Sequence, residues 1–214
     1  MIVPPAGQYT LSMPVTLGAR AEHGFDQPLG LMSDCHRRIE HFLAVLQHVE
    51  AQVGDAGLND EQRRAVEAAL TYFRTAAPRH THDEEQSLFP LLRASQRPDV
   101  RAALQALDDL QRDHAAADAA HAEVDLYYRH WLDRSAALPA EERQKLRAAL
   151  AALRDLYARH IEVEDRQIFP LAGRVLSEEQ LRRVGSEMAA RHGLSPGGGA
   201  SSLPGTDAGA ARRP

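Results

Sequence analysis

One stretch of this chain occurs twice, eighty residues apart, and carries residue types that bind transition metals. The first copy runs from His80 to Pro90 and the second from His160 to Pro170, and both read H-x-x-x-E-(E/D)-x-x-(L/I)-F-P. On an α-helix, residues four positions apart lie on the same face, one turn above the other. Each copy therefore presents an imidazole and a carboxylate in the same direction, which suits iron, manganese or zinc.

Two further histidines fall on the apolar stripes of other predicted helices. His36 lies four residues after the apolar Met32. His114 lies seven residues after Leu107, again on the face that would point into a helix bundle. The chain thus offers six candidate metal ligands, which are His36, His80, Glu84, His114, His160 and Glu164.

The number and kind of these side chains predict two metal ions. A carboxylate can bridge two cations, which imidazole cannot, so Glu84 and Glu164 are the candidate bridges. Six unpaired polar groups in a bundle core would each cost about 1–3 kcal/mol, and a metal removes that cost. A lone histidine on an apolar stripe is more often an ordinary core residue, and a single H-x-x-x-E pair often lies on a solvated face. The duplication of the pair favours the metal site.

The elements that must position these ligands are helical. The composition is rich in Ala, Leu, Arg and Glu and has only 5% aromatic residues, which favours helix over strand. Apolar periodicity and capping signals predict five helices, with interruptions at Pro78 and Pro90, over approximately residues 28–53, 59–91, 98–134, 139–171 and 177–191. We therefore expect an all-α, antiparallel up-down-up-down four-helix bundle with an additional C-terminal helix.

The composition along the chain predicts one domain with two flanking segments. Residues 1–27 lack clear periodicity and form a predicted N-terminal extension, and residues 28–192 form the domain. Residues 193–214 are rich in Gly, Ser, Pro and Ala, a composition typical of a disordered tail.

Charge and hydropathy exclude several classes of protein. The formal net charge of -5 gives no basic footprint for nucleic acid. No apolar stretch approaches the roughly 20 residues that span a bilayer. Cys35 is the sole cysteine and cannot form an internal disulfide, and the N-terminus has no secretory pattern. These features predict a cytoplasmic protein without a membrane segment.

At these residues the chain resembles the hemerythrin family, specifically the bacterial hemerythrin-like proteins known as HHE cation-binding domains. The resemblance covers roughly residues 28–175 and is carried by residues 35–40, 80–90, 113–114 and 160–170. It implies two iron ions in a non-haem di-iron centre, bridged by two carboxylates and an oxo or hydroxo group. It also implies a small gaseous ligand, O2 or NO. Manganese or zinc would suit the same donor atoms.

The chain departs from the oxygen-carrying members of that family at one position. Where those proteins have a second histidine on the third helix, one turn after the first, this chain has Asp118. Three roles for Asp118 fit the sequence: it binds a metal, it hydrogen-bonds a metal ligand, or it lies at the boundary between the core and the surface. The sequence leaves these three alternatives open. His121 lies about 10 Å along the axis from His114, so we expect it in a pocket beside the metals. Glu85 and Asp165 are expected to hydrogen-bond a ligand histidine or to line the mouth of the site.

Three functions fit these observations. The first is a di-iron protein that binds or senses O2 or NO, or handles iron. The second is a di-iron oxidase or peroxidase-like enzyme, suggested by the missing imidazole at Asp118. The third is a metal-free helical interaction module. A ferritin-like centre fits poorly, because those proteins use Glu-x-x-His pairs and this chain has histidine first. The sequence identifies no protein partner.

Overall fold

The structure is a computed structural model, and it describes residues 22–53 and 57–194. The predicted N-terminal extension and C-terminal tail lie outside the described residues, except for residues 22–27 and 193–194.

The described chain is entirely helical, with no strand in residues 22–53 and 57–194. Two of its long rods are interrupted: residues 60–94 form the second rod, and residues 140–175 form the fourth. Together with three uninterrupted helices they give five helical rods in the described residues, which confirms the prediction of four long helices and a shorter C-terminal one. The elements are α1 Pro28–Gln52, α2 Asp60–Thr75, α3 Ala77–Asp83, π1 Glu84–Leu88, α4 Phe89–Ala94, α5 Pro98–Leu132, α6 Ala140–Val163, π2 Glu164–Ile168, α7 Phe169–Val175 and α8 Glu178–Arg191.

Two apolar clusters show that neighbouring rods run antiparallel. The upper cluster combines the C-terminal parts of α1 and α5 with the N-terminal parts of the second and fourth rods, and includes Leu46, Val66, Trp131 and Leu153. The lower cluster combines the opposite ends of the same four rods, and includes Met32, Leu92, Leu107 and Ile168. Successive rods thus contribute opposite ends to each cluster, as the predicted up-down-up-down bundle requires.

Both copies of the repeated motif contain one π-helical turn, and both turns start at the glutamate. The Phe89 N–H donates to the carbonyl of Glu84, and the Phe169 N–H donates to the carbonyl of Glu164. The next residue in each copy is proline, which lacks an N–H and whose ring clashes with the carbonyl four residues earlier. A wider turn accommodates that ring, so the interruption predicted at Pro90 takes the form of a π turn.

The start of the second rod is fixed by the predicted capping box. The Asn59 side chain accepts a hydrogen bond from the Gln62 N–H at 2.8 Å, and the Gln62 side chain accepts one from the Asn59 N–H at 2.9 Å. Each bond satisfies a backbone donor that has no partner within the helix.

Removing this cap should destabilise the bundle measurably. We expect Asn59→Ala to lower the free energy of unfolding by about 1 kcal/mol, whereas Asn59→Asp keeps an acceptor and should change it little. Urea unfolding followed by circular dichroism measures both. An Asn59→Ala protein with the midpoint of the unmodified chain would show that the cap does not stabilise the second rod.

Candidate metal centre

A single layer of polar side chains separates the two apolar clusters. It consists of four imidazoles and two carboxylates, and no member is more than 7% exposed. Its members are the six candidate ligands of the sequence, His36, His80, Glu84, His114, His160 and Glu164. Each lies on the inward stripe of its rod, so the bundle brings all six predicted side chains to one level.

The ring nitrogens of this layer converge on the two carboxylates. Nε2 of His36 lies 3.0 Å from Oε2 of Glu164 and 3.8 Å from Oε1 of Glu84. Nε2 of His80 lies 3.2 Å from Oε1 of Glu84. The histidines of the third and fourth rods lie equally close: Nε2 of His160 is 3.1 Å from a carboxylate oxygen of Glu164, and Nε2 of His114 is 3.3 Å from one of Glu84.

These short distances are not hydrogen bonds of ordinary geometry. Within the described part of the chain, all four carboxylate oxygens of Glu84 and Glu164 are buried and accept no hydrogen bond. The nitrogens and oxygens therefore surround shared points, although Nε2 of His114 and Nε2 of His160 also lie within hydrogen-bond distance of each other, at 3.1 Å. A buried polar atom left unsatisfied costs about 1–3 kcal/mol, and a cation at the shared point removes that cost. The donor set fits a metal.

The ligand atoms form two groups that share both carboxylates. His36 and His80 belong to one group with the two glutamates, and His114 and His160 belong to the other. In each group the four ligand atoms lie within 4.8 Å of one another. Each imidazole pair comes from one hairpin: α1 with the second rod, or α5 with the fourth rod. Two overlapping groups of this kind are compatible with a binuclear site, and their nitrogen and oxygen atoms suit iron, manganese or zinc.

The acidic residue that follows each glutamate contacts a histidine of the other hairpin. Oδ1 of Asp165 lies 2.9 Å from Nδ1 of His36, and Oε1 of Glu85 lies 2.8 Å from Nδ1 of His114. A carboxylate at Nδ1 fixes the tautomer and orientation of the ring, so that Nε2 faces the centre.

Asp165 is itself held by two residues that the sequence reasoning missed. Ser33 Oγ donates to Oδ1 of Asp165 at 2.7 Å, and Arg37 donates to Oδ2 at 2.5 Å. Both lie within three residues of His36 on α1, but nothing in their spacing indicates a partner on another rod.

The phenylalanine of each motif stacks on the same histidines. The Phe169 ring lies 5.4 Å from the His36 ring at an interplanar angle of 10°, and the Phe89 ring lies 6.4 Å from the His114 ring at 8°. His36 and His114 therefore have the same environment: the other hairpin places a carboxylate at Nδ1 and a phenylalanine ring against the imidazole face.

The remaining two imidazoles are supported differently. Nδ1 of His160 lies 3.5 Å from a carboxylate oxygen of Asp113, a residue that the sequence reasoning did not assign a role. Neither this Nδ1 nor Nδ1 of His80 has a hydrogen-bond partner among the described residues, and no carboxylate is paired with Nδ1 of His80. The two halves of the centre are thus similar but not identical.

Beside the imidazoles lies a cavity of about 40 Å³. All four ring systems line it, and neither glutamate does. Asp118 also lines the cavity, but it is exposed and belongs to neither ligand group. His121 lines the cavity too, with its Nε2 2.8 Å from the Tyr157 hydroxyl. Asp118 and His121 are therefore residues of the cavity wall.

Burial and the neighbouring carboxylates shift the pKa values of three imidazoles in opposite directions. Burial alone would lower the pKa of His36, but the hydrogen bond to Asp165 and the nearby Glu164 and Glu84 carboxylates raise it well above 6.5. His114 is similar: burial opposes the charge, yet Glu84 and its neighbours raise the pKa to about 9. Burial dominates at His80 and lowers its pKa to about 4.

Comparison with known proteins agrees with this geometry. A family model described as "Hemerythrin HHE cation binding domain" matches residues 27–172. A protein of Haemophilus influenzae, described as uncharacterized, is 26% identical over 174 residues, which cover 78% of this chain and 91% of that protein.

The metal-free protein should be most stable near pH 6.5. The pKa of His36 and His114 is raised in the folded state, so their stabilisation is complete below 6.5 and is lost as the pH rises, through about 9 for His114. The pKa of His80 and His121 is lowered to about 4, so stability also falls as the pH drops from 6.5 towards 4. Melting temperatures recorded from pH 4 to about 9 measure the loss of stability on both sides of pH 6.5.

The metal-loaded protein should respond oppositely above pH 6.5. Metal displaces the protons of the ligand histidines, so the stability gained on loading should grow as the pH rises. A metal-free protein whose melting temperature climbs steadily from pH 6.5 to about 9 would contradict the raised pKa of His36 and His114.

Loss of a supporting carboxylate should weaken metal binding without unfolding the bundle. We expect Asp165→Ala to lower the affinity for one metal by about 10–100-fold, because the His36 ring loses its orienting partner. Glu162→Ala is the matched control, since Glu162 lies on the same rod and its side chain is 61% exposed. Isothermal titration with Fe²⁺ under anaerobic conditions compares the two. Equal Fe²⁺ affinities in the two variants would show that Asp165 does not contribute to metal binding.

Proposed function

The chain belongs to the hemerythrin HHE cation-binding domain family, and on that premise we propose that it is a non-haem di-iron protein that binds or senses a small gaseous ligand, O2 or NO. One observation carries the proposal: two buried imidazole pairs share two buried carboxylates that accept no hydrogen bond in the described chain.

Four histidines would each bind one iron, and two glutamates would bind both irons. His36 and His80 would hold one iron, His114 and His160 the other, and Glu84 and Glu164 would bridge the pair. The two carboxylates supply negative charge where two cations repel each other. When bound, the iron pair would supply reversible one-electron chemistry towards O2 or NO.

The protein leaves room for a ligand on one side of the centre. Each group provides four protein ligands, fewer than the six of octahedral coordination, which leaves positions for an oxo or hydroxo bridge and an incoming molecule. The cavity of about 40 Å³ lies on the imidazole side, and its size suits a diatomic molecule.

Asp165 and Glu85 would keep the His36 and His114 rings turned towards the metals. Phe169 and Phe89 cover the faces of the same two rings and exclude water from that side. These contacts belong to the folded chain, so the site is organised before a ligand arrives.

A di-iron oxidase or peroxidase-like enzyme is the second candidate. The observation that favours it is the Tyr157–His121 hydrogen bond in the cavity wall, because such a pair can hold a proton beside a bound molecule. Steady turnover of peroxide or O2 by the iron-loaded protein, absent in His160→Ala, would establish an enzyme. Ligand binding without turnover would support the binding protein.

The bridges give the sharpest test of the proposal. We expect two iron ions per chain in the unmodified protein, and fewer in Glu84→Ala or Glu164→Ala, because each carboxylate serves both groups. Glu67→Ala is the control, since Glu67 is an exposed carboxylate of the second rod. Metal analysis by mass spectrometry gives the counts.

The same preparations test the ligand. NO added to the reduced, iron-loaded protein should change its optical and electron paramagnetic resonance spectra, and the Glu84→Ala, Glu164→Ala double variant should not respond. Two iron ions per chain in that double variant, or unmodified protein that binds no metal, would contradict the proposed centre.

A further inference from the structure

The cavity beside the imidazoles, here called the inner cavity, meets a larger outer cavity. The outer cavity has a volume of about 320 Å³ and is lined by residues of α2 and α5, among them Arg74, Ala122 and Asp125. Three residues line both cavities and therefore form the boundary between them, namely Phe73, Asp118 and His121.

Two of these three residues fill the boundary with their rings. The Phe73 and His121 rings stack with centroids 4.2 Å apart at an interplanar angle of 30°. Phe73 comes from α2 and is 8% exposed, so its ring closes the space between the second rod and α5. The Tyr157 hydroxyl, 2.8 Å from Nε2 of His121, fixes the second ring from the fourth rod. Asp118 is exposed at the rim.

Apolar side chains cover the carboxylate side of the centre and the faces of two of its rings. The lower apolar cluster lies beneath the carboxylates, with Met32 fully buried and Leu110 2% exposed. Phe169 and Phe89 stack on the outer faces of two ligand rings. Among the described residues, the stacked Phe73 and His121 rings therefore lie between the imidazoles and the outer cavity.

We propose that the stacked Phe73–His121 pair is the gate through which an exogenous ligand enters the inner cavity, and that the gate admits small uncharged molecules. This inference rests on the proposed function, because it concerns how a ligand reaches the same centre.

Size and charge define the class of ligand. An inner cavity of about 40 Å³ exceeds the roughly 10–15 Å³ that a cavity needs to hold one water, so it accepts molecules of two or three heavy atoms. Burial lowers the pKa of His121 to about 4, so the gate is uncharged near neutral pH. Rotation of the His121 side chain away from Phe73 would connect the two cavities without unfolding any helix, although it requires loss of the hydrogen bond to Tyr157.

Rapid mixing of NO with the reduced, iron-loaded protein tests the gate through two variants of opposite effect. His121→Ala removes one ring and should raise the association rate several-fold. Ala122→Phe places a ring in the outer cavity and should lower the rate by about tenfold or more. Ala119→Phe is the matched control, because Ala119 is exposed on the same helix and lines neither cavity.

A bulky chelator provides the second readout. Removal of iron by 2,2'-bipyridine should be faster in His121→Ala than in the unmodified protein, and unchanged in Ala119→Phe. Iron content and circular dichroism establish that each variant is loaded and folded, and Ala122→Phe keeps the test decisive if His121→Ala does not fold.

The outcomes separate the gate from the proposed function. Equal association rates in His121→Ala, Ala122→Phe and Ala119→Phe, with two iron ions and the same final NO spectrum, would overturn the gate and leave the function intact. Protein that binds neither iron nor NO would overturn both.

Discussion

The burial of two carboxylates among four imidazoles is the interaction on which the rest of this structure depends. Glu84 and Glu164 are fully buried and accept no hydrogen bond in the described chain, a costly state for ionised groups in an apolar core. The bundle encloses them between two apolar clusters, and the Nε2 atoms of the four imidazoles lie 3.0–3.3 Å from their oxygens. The two overlapping groups of ligand atoms are compatible with a pair of cations, which would satisfy these oxygens.

The duplicated motif explains how one chain builds such a layer twice. In each copy the histidine and glutamate face the centre, the next acidic residue holds a histidine of the other hairpin, and the phenylalanine stacks on that same ring. The proline accompanies a π turn that starts at the glutamate. The contacts of the acidic residue and the phenylalanine in each copy thus cross to the other hairpin. The two halves can organise the centre only when both are folded.

The parts predicted from the sequence are those set by local spacing. Helix positions, the capping box at Asn59 and the inward stripe positions of the six polar residues follow from periodicities of a few residues. Glu85 and Asp165 were expected near a ligand histidine, but which histidine each contacts could not be predicted, because it depends on how distant rods align. The support that Ser33 gives to Asp165 joins residues 132 positions apart and has no motif. The π turns were expected only as interruptions at proline. The sequence left the role of Asp118 open, and the structure places it on the exposed rim of the cavity.

The most direct test of the account is a crystal structure of the iron-loaded protein with anomalous scattering recorded at the iron absorption edge. The account predicts two anomalous peaks in the polar layer, one beside His36 and His80 and one beside His114 and His160, with Glu84 and Glu164 contacting both. A single peak, or peaks bound by residues outside this layer, would contradict a carboxylate-bridged binuclear centre.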